Sequence, residues 1–468
     1  MGSDLKLVET IAARSTDAEF IDCRVTESDG TSIVCQDGRA DKIGQGRSRS
    51  GCVRALVDGA WGFAATDEPN EKRLAKCLES AVAMARAASP HVTEKGAVAA
   101  LPPSRGESVA EVGIDPRKVP LEEKMRRVSA YERAAREKHG DLLANTIVSY
   151  GDGWKREVVA NSRGTATLSE QIRTRLFARI VAKKGDTRQA GTESRGQLSG
   201  FELLDGCPAE EFSVSAADRA VSLLSAKRAP SGRFPVVFHP TITGVLVHEA
   251  LGHSAEADLV FGGMSILDGK KGTRVAPDIV TVIDDPTIDR AYGSFAYDSE
   301  GTPAKRHVLI EKGILKGFLH SLETAGRMGA EPQGSGRAQN AQSPPIVRMS
   351  NTFFEPGTDS LESLLAPIDH GVYLIDSSGG YVYPERGQFV VRASEGWIIR
   401  DGKLAEQVRD VSVSGMTLEA LSKIDGVSKD FRLALPGTCG KDGQGVPVDG
   451  GGPYVRISEV VVGGQEGA

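Results

Sequence analysis

The chain has 468 residues, enough for two or three domains, because a single hydrophobic core stops growing at about 250 to 300 residues. Its formal net charge of -6 offers no basic surface for nucleic acid, which disfavours DNA- and RNA-binding proteins. The first residues contain no basic segment followed by an apolar run, and no stretch approaches the roughly 18 apolar residues of a membrane span. We therefore expect a soluble cytoplasmic protein.

Glycine and cysteine usage add two expectations. Glycine accounts for 54 of the 468 residues without any low-complexity repeat, against a usual share of about 7%, so we expect many tight turns and close backbone approaches. The cysteines form no CxxC pair, and we expect free thiols in a reducing compartment. They are Cys23, Cys35, Cys52, Cys77, Cys207 and Cys439.

Residues 1 to 90 are predicted to form an α+β segment. Runs such as FIDCRVTES and CVRALVDGAWGFAATD favour an antiparallel meander, and EKRLAKCLESAVAMARAAS carries apolar residues at helical spacing. These elements fit a sheet with one face covered by helices. Residues 91 to 119, rich in proline, glycine and small residues, are predicted to be a linker.

Residues 120 to 227 are predicted to form a second α+β segment. PLEEKMRRVSAYERAAREKHG has proline and acids at its start and glycine at its end, which indicates a helix. The following stretch alternates as hairpins do, and AEEFSVSAADRAVSLLSAKRA closes the segment as a helix. The stretch AKRAPSGRFP, residues 226 to 235, is the predicted main domain boundary.

Residues 236 to 468 are predicted to form a β-rich C-terminal domain. Runs such as VYLIDSSGGYV, QFVVRASEGWIIRDGKLAE and YVRISEVVVGG are typical of strands joined by DG and GG turns. The expected fold class of the whole chain is α+β. It combines N-terminal antiparallel sheets flanked by helices with a β-rich domain that carries the helix containing HEALGH.

The stretch HEALGH, residues 248 to 253, resembles a zinc-protease helix with one extra residue. In HExxH the two histidines lie four residues apart on one helix face. His248 and His253 are five apart, which places them roughly 140° apart around a regular helix. Either this is not a metal site or the helix is irregular, and Gly252 lowers the cost of leaving α geometry. The metal hypothesis therefore predicts a widening or break at residues 250 to 253.

A catalytic zinc site usually needs a third protein ligand. Cys439 lies in PGTCGKDGQGVP, where flanking glycines leave the sulfur accessible, and we expect nearby Lys441 to lower the pKa of the thiol. Glu256, three residues after His253, is predicted either to bind the metal, to orient a ligand or to be a solvated acid. Other candidates are His239, Asp258, His307, His320 and His370.

Several blocks of the C-terminal domain resemble, in order, those of the TldD/PmbA family of metallopeptidases. The blocks are HEALGHSAEAD, DSEGTPAKRHVLIEKGILKGFL, RMSNTFFEPG, GGYVYPERGQFVV with SEGWIIRDGK, and GTCGKDGQGVPV. The likeness spans residues 236 to 463 and is looser in the N-terminal segments. HExxxH with a late CGKDGQ block resembles the active, TldD-like branch, because TldE or PmbA subunits are expected to lack the complete metal set.

The resemblance implies roles for individual residues. His248, His253 and Cys439 match the zinc ligands, with one Zn²⁺ per active subunit, and Glu249 matches the catalytic glutamate that would activate zinc-bound water. The family is expected to hydrolyse peptide bonds in short or unfolded peptides and to remove leader peptides from modified peptides. The resemblance also implies a dimer with a homologous TldE-like subunit or with a second copy of the chain.

Two further readings stay open at this point. One is a non-catalytic peptide-binding or partner subunit whose metal is structural, with Glu256 or another side chain in the water position. The other is a regulator of nucleic-acid enzymes, which the charge does not favour. Asp298, Glu300, Arg348 and Asn351 lie in family-like blocks and are as consistent with loop organisation as with substrate contact. A strand edge of the C-terminal domain is a predicted docking place for an extended peptide.

Overall fold

The structure is a computed structural model that describes residues 3–464. It has the α+β class expected from the sequence, with a helix-covered sheet in the N-terminal part and a β-rich C-terminal domain. Within the described residues, no helix combines the length and apolar character needed to span a membrane.

The helices are short except for two in the N-terminal part. Their ends follow sequence signals: the side chain of Asn70 accepts a hydrogen bond from the backbone N–H of Arg73 at 3.0 Å, and Gly140 follows the helix that ends at His139. The helices are α1 (Ser3–Ala12), α2 (Glu71–Ala88), α3 (Leu121–His139), α4 (Ser215–Leu223), α5 (Pro240–Val247), α6 (Ala257–Phe261), α7 (Leu322–Met328), α8 (Leu361–Leu365) and α9 (Thr417–Ser422).

One seven-stranded sheet forms the N-terminal part, and strands from both predicted α+β segments contribute to it. Its order is β3-β2-β1-β5-β6-β4, with β7 also paired to β6, and every pairing is antiparallel except that of β4. The strands are β1 (Phe20–Gln36), β2 (Arg39–Val57), β3 (Ala60–Thr66), β4 (Arg105–Ser108), β5 (Leu143–Asn161), β6 (Ala166–Lys184) and β7 (Thr187–Gln197).

The helices of this part cover one face of the sheet. Val8 of α1 and Leu74 of α2 share a core with Val25 of β1, while Val128 of α3 shares a core with Ile33 of β1. Val25 and Ile33 are both at odd-numbered positions, and side chains alternate between faces along a strand. All of these helices therefore lie on the same side.

The opposite face of the sheet contacts the C-terminal domain. Arg24, at an even-numbered position of β1, donates a hydrogen bond to the carbonyl of Ser343 at 2.6 Å. Arg54 of β2 pairs with Asp22 and, at 2.8 Å, with Glu300 of the C-terminal domain, and all three side chains are buried. This helix-free face thus forms part of the junction between the two parts.

The C-terminal domain contains the remaining strands in two large sheets and one small one. They are β8 (Lys227–Arg228), β9 (Gly232–Phe238), β10 (Val282–Asp284), β11 (His307–Glu311), β12 (Ile314–Leu315), β13 (Gly336–Arg337), β14 (Ile346–Val347), β15 (Asn351–Phe354), β16 (His370–Tyr383), β17 (Gln388–Arg400), β18 (Lys403–Arg409), β19 (Val411–Met416), β20 (Ile424–Val427), β21 (Arg432–Leu433), β22 (Gly437–Lys441), β23 (Gln444–Gly452) and β24 (Val455–Gly464).

The larger of these sheets closes on itself. Its pairings run β16-β9-β24-β19-β17, and β17 pairs again with β16. The other large sheet runs β12-β11-β10-β15-β23-β21, with β22 paired to β23. Helix α5 packs against β16 of the first sheet and β23 of the second, so the residues that follow it lie between the two sheets.

Candidate metal centre

The helix that carries His248 widens where the motif begins. Helix α5 ends at Val247, residues His248–Gly252 form a π-helical segment, and a 3₁₀ turn follows at His253–Ala255. The backbone N–H of His253 donates to the carbonyl of His248, which is the five-residue bonding of a π turn. The two imidazole rings consequently lie 5.0 Å apart, centroid to centroid. The irregularity predicted from the spacing is confirmed.

Gly252 permits a close approach within this segment. A Cβ atom at this position would lie 2.0 Å from the Sδ atom of Met349, which is far inside van der Waals contact. Met349 is fully buried, in the loop between β14 and β15. The absence of a side chain therefore lets the widened turn pack directly on the thioether.

A hairpin brings Cys439 to the two histidines. Strands β22 and β23 are joined by Asp442 and Gly443, both with positive φ, which is the geometry of an Asp-Gly hairpin turn. The Sγ atom of Cys439 lies 3.5 Å from Nε2 of His253. One ligand atom from each of His248, His253 and Cys439 lies within 4.8 Å of the others.

These separations suit a metal ion with nitrogen and sulfur ligands. A tetrahedral zinc ion holds its ligand atoms roughly 3.3 to 3.7 Å apart, because Zn–N bonds are about 2.0 Å and Zn–S bonds about 2.3 Å. The 3.5 Å contact between Cys439 and His253 falls in that range. Two imidazoles with one thiolate form a recognised zinc ligand set that leaves one position open.

Glu256 orients one of the imidazoles. Its Oε2 atom accepts a hydrogen bond from Nδ1 of His253 at 3.0 Å, so that Nε2 of the same ring faces Cys439. Glu256 is fully buried, and the amine of Lys441 donates to it at 3.2 Å and to Asp258 at 2.7 Å. A carboxylate behind a ligand imidazole fixes the tautomer and strengthens the ligand. Glu256 thus contacts His253 from behind the ring.

The electrostatics of the cluster favour a thiolate. Burial raises the pKa of the Cys439 thiol. Hydrogen bonds and charges from His248 and His253 outweigh this effect and lower the pKa to about 5. Burial also lowers the pKa of His253, whereas the charge of Glu256 and contact with Cys439 raise it, to about 10. The thiolate is the form of cysteine that binds metal.

The largest lowering of the pKa of the Cys439 thiol comes from His248 and His253, and Lys441 is not among its largest causes. The Lys441 side chain points to Glu256, Asp258 and the carbonyl of Val347. Carboxylates attract its ammonium group more strongly than a neighbouring thiol does, so the imidazoles supply the effect on Cys439.

Glu249 follows His248 directly in the chain, and its carboxylate has no partner among the described residues. It is half-buried, and no side chain or backbone group of residues 3–464 forms a hydrogen bond or ion pair with its carboxylate. Gly380 of β16 lies against it, since a Cβ there would be 3.3 Å from Cγ of Glu249. The carboxylate is therefore available to a water molecule or a substrate.

The other histidine candidates lie elsewhere. His239 accepts the backbone N–H of Thr241 through Nδ1 and caps the start of α5, and burial lowers its pKa to about 4. His307 and His320 are buried in β11 and just before α7, and His370 is exposed at the start of β16. Among the described residues, the group that could hold a metal consists of His248, His253 and Cys439.

Residues from the family-like blocks organise the surroundings. Arg348, fully buried, donates to the carbonyls of Cys439 and Gln444 and so holds the β22–β23 hairpin in place. The amide of Asn351 donates to the carbonyl of Asp285 at 2.6 Å. Neither contact could be predicted from the sequence, because a buried guanidinium or amide that donates to distant carbonyls leaves no local sequence pattern.

Comparison with known proteins identifies the family of the chain. A helix-covered N-terminal sheet joined to a β-rich domain with a His-His-Cys cluster defines a protein with a candidate metal site. Family models described as PmbA/TldA metallopeptidase match residues 21–85 (domain 1), 114–224 (central domain) and 231–464 (C-terminal domain). The chain belongs to the TldD/PmbA family of metallopeptidases.

Individual relatives cover nearly the whole chain. A protein of Methanothermobacter thermautotrophicus named "Metalloprotease" is 43% identical over 95% of this chain and 96% of its own. A "Zinc metalloprotease TldD homolog" of Saccharolobus solfataricus is 26% identical over 97% of this chain and 98% of its own. The crystal structure of TldE from Thermococcus kodakarensis has the same fold, with a TM-score of 0.78 at 19% identity over 98% of this chain and 99% of that one.

Proposed function

We propose that this protein is a zinc-dependent peptidase that hydrolyses peptide bonds in short or unfolded peptides. The observation that carries the proposal is the convergence of His248, His253 and Cys439 within 4.8 Å, beside Glu249, whose carboxylate has no hydrogen-bond or ion-pair partner within residues 3–464. The ligand set is one that zinc accepts, and a relative of similar length is named a zinc metalloprotease.

The chain's own residues would divide the catalytic work. A bound zinc ion would supply Lewis-acid chemistry, polarising a carbonyl and acidifying a water molecule. Glu249 would accept a proton from the attacking water and deliver it to the nitrogen of the leaving amine. Glu256 would hold the His253 ring in place, and Lys441 would keep Glu256 ionised while satisfying part of its hydrogen-bonding capacity.

A non-catalytic subunit with a structural metal is the alternative. A closed site would need a fourth protein ligand. Glu256 is the candidate that the sequence names for that position, but its Oε2 accepts a hydrogen bond from Nδ1 of His253, behind the ring. This placement supports a site with an open position, and hence the peptidase.

We further propose leader-peptide removal from modified peptides as one use of the activity, and a dimer with a TldE-like subunit or with a second copy of this chain. The shared fold with TldE supports a homologous subunit of similar shape as the partner. A peptidase of this kind acts on chains that expose their backbone, which folded proteins do not.

The test is cleavage of an unstructured peptide by the purified chain, alone and mixed with a TldE-like subunit. Mass spectrometry should detect products with wild-type protein, none after treatment with a chelator, and recovery on addition of Zn²⁺. A folded, disulfide-free protein serves as control substrate and should remain intact. Unchanged cleavage in fully metal-depleted protein would contradict the proposal.

A further inference from the structure

A large cavity lies between the helix-free face of the N-terminal sheet and the C-terminal domain. Its volume is about 1110 Å³, at or above the upper end of the usual range for small-molecule sites. Strands β1, β2, β5 and β6 form its floor, and residues 292 and 295, 297–299, 337–340 and 445–447 form the opposite wall. The His-His-Cys cluster does not line it.

In two neighbouring rows of this floor, three of the four strands carry only glycine or serine, whereas polar side chains such as Lys155 and Glu157 line other parts of it. The register places glycines and a serine next to one another across β2, β1 and β5, and an arginine of β6 ends each row. One row is Gly46, Gly30, Gly153 and Arg173, and the next is Gly44, Ser32, Gly151 and Arg175.

This floor is left open by the C-terminal domain. A Cβ atom added at Gly46, Gly151 or Gly153 would meet no atom within 4 Å. Sheet faces that pack against another layer carry apolar side chains, as the helix-covered face of the same strands does. The glycine and serine rows instead expose mainly backbone to the cavity, and this surface suits an extended peptide lying along it.

Two buried guanidinium groups line the cavity without an acidic partner. Arg173 donates to the carbonyls of Tyr292 and Ser294, each at 2.7 Å. Arg337 donates to the carbonyls of Met349 and, at 2.7 Å, Pro447. Neither group forms an ion pair with a carboxylate within residues 3–464, and each terminal nitrogen retains a second N–H.

Three of the four carboxylates that line the cavity already have hydrogen-bond or ion-pair partners. Asp152 pairs with Lys124 at 2.6 Å on the helix-covered side, and Glu157 pairs with Lys155 at 3.5 Å. Asp298 accepts three backbone N–H groups, and burial raises its pKa well above the usual range. Asp29 forms no hydrogen bond or ion pair within residues 3–464, and its odd-numbered position in β1 places its side chain on the helix-covered face.

The positive charge of the cavity is therefore incompletely neutralised. Burial lowers the pKa of Arg173 to about 10, and burial together with Arg173 and Arg348 lowers that of Arg337 to about 9, with Asp284 offsetting part of the effect. Buried cations are normally paired, because taking a charge out of water is costly. An anion entering the cavity would supply the missing partner.

The cavity and the metal cluster share one hairpin. Val446, which lines the cavity, pairs directly with Cys439 across β22 and β23. Arg337 bonds to the carbonyl of Pro447 in the same strand and to Met349, the residue that packs on Gly252. The wall of the cavity and the metal cluster are therefore neighbouring parts of one hairpin.

We propose that this cavity binds the carboxylate of a peptide, either its C-terminal carboxylate or an Asp or Glu side chain, between Arg173 and Arg175 of the floor and Arg337 of the opposite wall. The inference rests on the proposed peptidase function, which makes peptides the ligands that reach this junction. Planar guanidinium groups match carboxylates in bidentate geometry, and the glycine floor leaves room for the peptide backbone.

The test measures binding without cleavage, using fluorescence anisotropy with the full-length Glu249→Gln protein. Four labelled Gly/Ser-rich peptides serve as probes: one with a free C-terminal carboxylate, its C-terminal amide, and two amides that carry a single internal Glu or Gln. We expect the carboxylate-bearing member of at least one pair to bind roughly tenfold more tightly than its neutral twin. The pair that discriminates identifies the source of the carboxylate.

Matched variants locate the effect. Arg175 is half-buried with one long hydrogen bond, at 3.4 Å to Ser194, so Arg175→Gln should fold and should abolish most of the discrimination. Arg179→Gln changes the same strand and face outside the cavity and should leave it intact. Gly153→Leu, which fills the floor, should weaken binding of all four peptides.

Two results would overturn the inference. One is equal affinity for the charged and the neutral peptide in both pairs; the other is an equal loss of this discrimination in the Arg175→Gln and Arg179→Gln variants. Because no turnover is needed, the outcome is separate from that of the peptidase assay. Wild-type protein that binds carboxylates selectively but cleaves nothing would refute the proposed function and leave the carboxylate site standing.

Discussion

The thiol of Cys439 lies 3.5 Å from the imidazole of His253, although 186 positions separate the two residues in the sequence. The contact depends on a widened helical turn on one side and an Asp-Gly hairpin on the other. The contact brings Cys439, from near the end of the C-terminal domain, to His248 and His253, which lie near its start.

Replacing Cys439 by serine should remove most of the bound metal. Serine has nearly the same size but offers a neutral hydroxyl in place of a thiolate, so we expect zinc affinity to fall more than about 100-fold. Metal content by mass spectrometry and a chelator competition measure this. Cys207→Ser is the control, because Cys207 is equally buried but lies in the central segment. Equal zinc affinity in both variants would remove Cys439 from the ligand set.

Replacing Glu256 by glutamine should weaken the metal site without removing a ligand. The amide lacks the charge that holds Nδ1–H of His253, and loss of such a partner typically lowers metal affinity about 10- to 100-fold. Asp258→Asn is the matched control, since Asp258 bonds to Lys441 but not to His253. If Asp258→Asn lowers metal affinity as much as Glu256→Gln does, the effect of Glu256 would come from its contact with Lys441 and not from its contact with His253.

Replacing Gly252 by alanine should destabilise the C-terminal domain. The added methyl would lie 2.0 Å from Sδ of Met349, and overpacking of this kind costs about 1 to 3 kcal/mol in the free energy of unfolding. Gly317→Ala, where a Cβ meets nothing within 4 Å, should be nearly neutral in the same thermal unfolding assay. In a Gly252→Ala/Met349→Ala double variant, a total cost below the sum of the single costs would identify the thioether as the clashing group.

Acid should destabilise the start of helix α5 through His239. Its folded pKa of about 4 lies below the ordinary value of 6.5 because of burial, so the stability it contributes is complete above pH 6.5 and is lost as the pH falls towards 4. Protonation also converts Nδ1 from the acceptor of the Thr241 N–H into a donor. The effect is at most about 3 kcal/mol.

His239→Asn, which keeps a capping acceptor, should therefore unfold with a weaker pH dependence between pH 7 and 4 than the wild type. His370→Asn, at an exposed position, should retain the wild-type dependence. Identical curves for the wild type and the His239 variant would show that this histidine does not carry the effect.

Features with a local cause could be predicted from the sequence. Helix α3 has its acids and its terminal glycine where the pattern places them. The five-residue histidine spacing beside Gly252, combined with the metal hypothesis, predicts a distorted turn, and the structure contains it. Each of these follows from residues that are neighbours along the chain.

Features that depend on long-range register could not be predicted. The pairing of β1 with β5 unites the two N-terminal segments in one sheet, and nothing in either segment specifies the other as its partner. The same register aligns Gly30 with Gly153 and Arg173, which makes an open floor out of residues that look like ordinary turn glycines. Lys441 lies two residues from Cys439, yet its partners Glu256 and Asp258 come from a distant segment.

The most direct test of the central claim is the comparison of wild-type protein with Glu249→Gln. Glutamine preserves the shape of the side chain but cannot accept the proton of a water molecule. We expect the variant to keep its zinc and its thermal stability, because Glu249 has no partner among the described residues, and to lose cleavage of an unstructured peptide by at least about 100-fold. Cleavage at the wild-type rate by zinc-loaded Glu249→Gln protein would contradict the proposed mechanism.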